Sequence, residues 1–155
     1  MSHINKIQFL TKEHWSLLLL ADPSKEMVDK YIQKSHIYEI VDRHLLVGII
    51  VLMEISNEEI EIKNIAIDPA FQGNGYGKSL IRFGIRESKK LGYSKISICT
   101  GNSSTHQLAL YKNCGFRIST ISRDFFIQNY EEEIWENGIQ CKDLIKLEQL
   151  IEKKK

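Results

Sequence analysis

The stretch FQGNGYGKS, residues 71–79, places three glycines in five positions directly before a lysine and a serine. Glycines this close together let backbone N–H groups approach a ligand, because no Cβ stands in the way. The turn runs into helical periodicity from Gly75 to Leu91. Leu80, Ile81, Gly84, Ile85, Ser88 and Leu91 share one face, and Gly92 supplies a C-terminal stop. Arg82, Arg86 and Lys89 line the opposite face as a solvated stripe. Unpaired N–H groups at a helix N-terminus suit a phosphate. Which phosphate decides the reading of the whole chain.

A nucleotide-triphosphate loop needs G-x-x-x-x-G-K-[ST]. Gly77-Lys78-Ser79 supplies its ending, but position 72 holds Gln72 and Gly73 comes one residue too late. A dinucleotide loop needs G-x-G-x-x-G and an acidic residue about 20 positions further on. Gly73, Gly75 and Gly77 are one residue short of that spacing, and the next strand ends in Ile98-Cys99-Thr100 without an acid. Neither nucleotide pattern fits.

Upstream, Ile37 to Val41 reads as a strand, Asp42-Arg43 as a turn, and Leu45 to Met53, apolar on both faces, as a central strand. Ser56 to Glu59 turns the chain into a strand from Ile60 to Asp68. Ile60 and Ile62 stand at even positions, Ile65 and Ile67 at odd ones, so the apolar phase slips around Lys63-Asn64. A bulge there, or burial of both faces beyond residue 64, accounts for the slip. Before these strands, His3 to Phe9 reads as a first strand. A helix capped by Thr11 then runs through the four leucines to Asp22-Pro23, and a helix capped by Ser24 carries Met27, Val28, Tyr31 and Ile32. Downstream come a strand from Lys95 to Thr100, a turn from Gly101 to Ser104 and a short helix ending at Cys114-Gly115. A strand from Phe116 to Phe126, a loop through Asn137-Gly138 and a last strand within Cys141 to Leu147 complete the expectation.

The 155 residues suit a single domain, residues 1–155, and 43% hydrophobic with 26% charged residues is a globular composition. Twenty-one basic against twenty acidic residues give a net charge of +1, without the field that draws a protein to nucleic acid. The longest apolar run, Leu45 to Met53, is about half of what a bilayer-spanning helix needs. Leu17 to Leu20 follows a glutamate instead of a basic leader, so no membrane or export is expected. Cys99, Cys114 and Cys141, odd in number and unpaired in spacing, fit a reducing cytoplasm. The five histidines lack metal-ligand spacing, so no metal is expected.

The phosphate loop has a third reading. Gln72-Gly73-Asn74-Gly75-Tyr76-Gly77 fits Q/R-x-x-G-x-G/A, the segment before it reads Asn-Ile-Ala-Ile-Asp-Pro, and Leu110-Tyr111-Lys112-Asn113-Cys114-Gly115-Phe116 follows at a distance. Together these resemble the GCN5-related N-acetyltransferase (GNAT) family, firmly from Val47 to Arg117 and more loosely in both flanks. The resemblance implies an α/β (α+β) fold, a mixed, largely antiparallel sheet of about seven strands with helices on both faces. It implies acetyl-CoA as cosubstrate, its pyrophosphate held by Gln72, Gly73, Asn74, Gly75, Gly77, Lys78 and Ser79. The fourth and fifth strands, ending near Ile67 and Thr100, would splay so that the pantetheine arm pairs with the fourth. A backbone N–H of Ile65, Ala66 or Ile67 would receive the thioester carbonyl. Tyr111 stands where the family commonly places a general acid, and Glu61 or Glu54 would serve as base. Where many members carry an asparagine seven residues before the tyrosine, this chain has Ser104, with Asn102 two residues earlier, so either would touch the pantetheine arm. Cys99 and Cys114 are expected in the core.

The expected activity is direct transfer of an acetyl group to a primary amine. A non-catalytic acyl-CoA sensor of the same fold is the alternative, and the presence of Tyr111 disfavours it. The acceptor would meet the first helices and the segment from Arg123 to Asn137, where Asp124, Glu131, Glu132, Glu133 and Glu136 would attract a cationic amine. Amino acids, polyamines, aminoglycosides and protein N-termini all satisfy that description, and a homodimer is compatible with it.

Overall fold

In the computed structural model, which describes residues 1–151, the apolar segments of the first half pair as an antiparallel meander. β1 (Ser2–Ile7), β2 (His36–Asp42), β3 (Leu45–Glu54) and β4 (Glu59–Ile67) lie side by side in that order. Arg43 and His44 turn β2 into β3 with φ of 52° and 66°. Consecutive positive φ values give a two-residue turn the twist of its flanking strands. Between β1 and β2 run α1 (Lys12–Ala21) and α2 (Lys25–Ile32), each starting where its cap residue predicts. The Thr11 hydroxyl accepts from the His14 N–H while the His14 ring returns to the Thr11 N–H, and Ser24 accepts from the Met27 N–H.

The second half enters by a crossover. β5 (Lys95–Gly101) pairs in parallel with β4 through the intervening helix α3 (Tyr76–Lys90), and every other pairing in the sheet is antiparallel. After α4 (Thr105–Asn113) and β6 (Arg117–Ser122) the chain leaves the sheet. It returns as β9 (Leu144–Leu150), which inserts between β5 and β6, giving the order β1-β2-β3-β4-β5-β9-β6. Ser122 and Leu144, the residues flanking this excursion, are cross-strand neighbours.

Alternation along β3 feeds two cores. Ile50 and Leu52 pack with Leu80, Ile81, Ile96, Tyr111 and Phe116 under α3 and α4, while Ile49 and Val51 pack with Leu17, Leu18, Val28 and Tyr31 under α1 and α2. A Cβ on Gly84 would lie 3.1 Å from Ile50, so glycine here lets α3 sit close to the sheet. The result is the expected mixed, largely antiparallel seven-stranded sheet covered on both faces.

The last third departs from expectation in detail. β6 stops at Ser122, and Asp124, at φ 58°, swings the chain into a short helix α5 (Phe125–Asn129) where the apolar pattern predicted continuing strand. A two-stranded ribbon, β7 (Trp135–Glu136) and β8 (Ile139–Gln140), folds about Asn137-Gly138, and the final strand lies three residues beyond its predicted position. Among the described residues no helix is long and apolar enough to cross a membrane, and no three His, Cys, Asp or Glu side chains converge as metal ligands.

Candidate active site

The phase slip in β4 is a bulge. Val51 pairs with Asn64 and Leu52 with Ile62, leaving Lys63 as the extra residue. Beyond it Ile65 and Ile67 keep contact with the α3 core, whereas Asn64 and Ala66 turn toward α1 and α2, so both faces of the strand are also covered. β4 pairs with β5 only from Glu59 to Ile62, opposite Lys95 to Ile98. β5 then continues with β9 as far as Gly101. From Lys63 to Ile67, β4 therefore has a strand partner on the β3 side alone, and the sheet opens at its centre.

The glycine turn closes one end of that opening. A single 3-10 turn, Pro69–Phe71, capped by Asp68, leads to Gly73 and Gly75, both at φ 83°. Gly75 is the N-cap of α3 and makes no side-chain cap bond. The N–H groups of Tyr76, Gly77 and Lys78 precede the first helical bond, from the Ser79 N–H to the Gly75 carbonyl at 3.1 Å. Gln72 Nε2 donates to the Ile67 carbonyl at 3.2 Å and Asn74 Nδ2 to the Phe71 carbonyl at 3.1 Å, so both side chains brace the turn. A Cβ on Gly77 would sit 3.8 Å from both Ile67 and Leu110, which locates the meeting point of loop, strand end and α4. Lys78 is half-buried and Ser79 exposed in the first helical turn.

Tyr111 stands on α4 directly after Leu110, the residue that approaches Gly77. Gly115, at φ 100° with Gln149 against its Cα, ends the helix as only glycine can, and Phe116 packs edge-on to the Tyr111 ring. Burial pushes the Tyr111 phenol up to about 12. Its hydroxyl makes no hydrogen bond among the described residues. The side-chain atoms fully buried without a partner among the described residues are Asn64 Oδ1 and Gln149 Oε1.

The two candidate bases are far from equivalent. Glu54, at the end of β3 opposite Ile60, accepts from the Tyr93 hydroxyl at 2.6 Å, away from the bulge. Glu61 stands two residues before Lys63, with 13% of its side chain exposed and Lys63 Nζ 3.9 Å away. Burial raises its pKa, and the neighbouring lysine only partly opposes this. Burial, with Glu61 adding to it, also pushes the Cys99 thiol up to about 11, which keeps the sulfur protonated.

Asn102 and Ser104 both make hydrogen bonds within the chain. Asn102 donates to the Gln140 carbonyl at 3.2 Å and accepts from the Lys142 and Asp143 N–H groups at 2.8 and 2.9 Å. Ser104 donates to Glu136 at 2.9 Å, joined by Ser103. The turn thus ties down the returning end of the excursion, and Glu136 is no free acid. Phe126, Tyr130, Glu131, Glu132, Glu133 and Cys141 line a cleft of about 220 Å³ beside it. Sequence reasoning did not foresee that Asp22, Tyr31 and Asn64 gather on the α1–α2 side of β4. Asp22 is close enough to raise the phenols of both Tyr31 and Tyr130, after burial. A polar asparagine at the phase slip was the available signal.

Comparison with known proteins identifies the family. Residues 7–116 match the acetyltransferase (GNAT) family. The uncharacterized N-acetyltransferase YvbK of Bacillus subtilis is 48% identical over 135 residues, 87% of each chain. A Bacillus subtilis acetyltransferase crystallised with CoA superposes with a TM-score of 0.95 at 44% identity, covering 97% of this chain and 99% of its own. A GNAT acetyltransferase from Elizabethkingia anophelis with acetyl-CoA bound gives 0.93 at 43% identity, covering 97% and 98%. By the family match over residues 7–116 and by these relatives, the chain belongs to the GNAT family of acetyltransferases.

Proposed function

We propose that acetyl-CoA lies along the open edge of β4 and that the acetyl group passes directly to a primary amine arriving from the α1–α2 face. The chain is an acetyl-CoA-dependent N-acetyltransferase. The observation that carries the site assignment is the pairing of β4 with β5, which stops at Ile62 immediately before the bulge. An extended pantetheine arm fits a strand edge without a partner, and the unpaired N–H groups of Tyr76, Gly77 and Lys78 suit a pyrophosphate. Acetyl-CoA brings the activated thioester. The chain's own groups do the rest.

Gly73 and Gly75 let the turn come close to the phosphates, Ser79 adds a hydroxyl, and Lys78 adds charge. Gln72 and Asn74 act by holding the turn in shape. A backbone N–H of Ile65, Ala66 or Ile67 polarises the carbonyl and stabilises the charge that develops on its oxygen. Glu61, directly or through water, takes a proton from the amine, and Tyr111 gives one to the departing sulfur. Asn102 and Ser104 serve through the turn they hold rather than on the cosubstrate.

The acceptor enters between α1–α2 and the excursion of residues 123–143, where Asp22, Glu61 and the Glu131–Glu133 run favour a cationic amine. The 155 residues act as one domain in the cytoplasm. β6, an edge strand exposed along its whole length with Ile118 and Ile121 uncovered, supports pairing with a second copy. Thermal unfolding with and without millimolar acetyl-CoA, followed by thiol release across an amine panel, tests the reading. Stabilisation with turnover is expected. Stabilisation without turnover on any amine would favour a sensor, and no stabilisation would remove the site.

A further inference from the structure

Asn64 is a polar residue in an apolar layer. Only 4% of it is exposed, and its neighbours on that face are Leu18, Tyr31, Val51 and Ala66. The bulge puts it there: with Lys63 inserted, the residue after it turns inward on the α1–α2 side. Its Nδ2 donates twice, to the Leu18 carbonyl and to the Tyr31 hydroxyl, both at 3.0 Å. Because a carbonyl can only accept, the Leu18 bond fixes which way the amide points. Its Oδ1 is left buried without a partner, a cost that a leucine here would avoid.

The partners are at telling places. The Leu18 carbonyl also accepts the Asp22 N–H at 3.1 Å, so it closes the last turn of α1. Tyr31 lies in α2, with Lys63 Nζ 5.5 Å from its ring centroid. One amide thus fastens both arms of the α1–α2 turn to the strand residue immediately before Ile65. We infer that Asn64 is a positioning residue that couples the cosubstrate edge of β4 to the α1–α2 acceptor wall, so that filling the first stiffens the second. The inference rests on the site proposed above. A strut of this kind orders the wall before the amine arrives and reduces the entropy that the acceptor would otherwise lose on binding.

Hydrogen–deuterium exchange of the full chain with and without CoA tests the coupling. In the wild type, CoA should slow exchange about fivefold both in residues 72–79 and in residues 18–31. Asn64→Leu should keep the slowing in 72–79 and lose it in 18–31, to under about twofold. Tyr31→Phe, which removes one of the two bonds and leaves no charge buried, should lose about half of it, and it replaces the leucine variant if that variant does not fold. Slowing in 18–31 that is the same in variant and wild type overturns the inference. So does a wild type in which CoA protects 72–79 alone, a result that leaves the site itself intact. Absence of slowing in 72–79 removes the site and the coupling together.

Discussion

Tyr111 is buried, yet its hydroxyl has no partner, so its removal separates chemistry from stability. Tyr111→Phe should lower kcat about a hundredfold while acetyl-CoA affinity stays within about twofold. Because no hydrogen bond is broken, the melting temperature should stay within about 2 °C. A phenol raised to about 12 also remains protonated across the physiological range, so it can donate throughout. Glu61 behaves in the opposite way with pH. Burial raises its carboxyl above the unfolded value, so its contribution to stability is full below the ordinary carboxylate range and is lost as pH rises through the folded pKa. Glu61→Gln should therefore melt at or above the wild-type temperature at pH 8, converge with it at pH 4, and still lower the transfer rate by about a hundredfold. A variant less stable than the wild type at pH 8 would show that Glu61 is held by favourable contacts instead.

At the level of elements, the glycine turn combines two separate requirements. At Gly75 the φ of 83° is the constraint, since a Cβ would meet nothing within 4 Å. Gly75→Ala should therefore destabilise the fold by only about 1 kcal/mol, the usual cost of left-handed backbone, while weakening CoA several-fold by calorimetry. Elements of this sort were legible in the sequence because their causes are local. Thr11 and Ser24 cap their helices, the isoleucine phase marks the Lys63 bulge, and Gly92 and Gly115 end theirs. The Phe125-Phe126 end of the expected strand misled because adjacent apolar residues serve a strand or a short helix equally well. The choice was made by Asp124, whose left-handed turn is braced by its N–H bond to the Asp143 side chain. The engagement of Asn102 with residues 140–143 depends on partners about forty positions away, which spacing alone does not reveal.

Across the whole molecule, one sheet supports both cores, with neighbouring residues of β3 pointing alternately into each. Loss of either core strips one face of the same strand. Urea unfolding followed by tryptophan fluorescence, from Trp15 on α1 and Trp135 on β7, and by far-ultraviolet circular dichroism should give one coincident transition. Separate midpoints would mean that the two halves fold independently. The strand order was the least legible feature, because nothing local to Leu144–Leu150 says that it must slide between β5 and β6. That placement has an evolutionary consequence. The excursion of residues 123–143 begins and ends at paired neighbours, Ser122 and Leu144, so it can lengthen, shorten or change its charge without moving any strand register. The acetyl-CoA site proposed above uses other elements. On that proposal, changes in the exposed Glu131–Glu133 run should alter acceptor preference more than acetyl-CoA affinity.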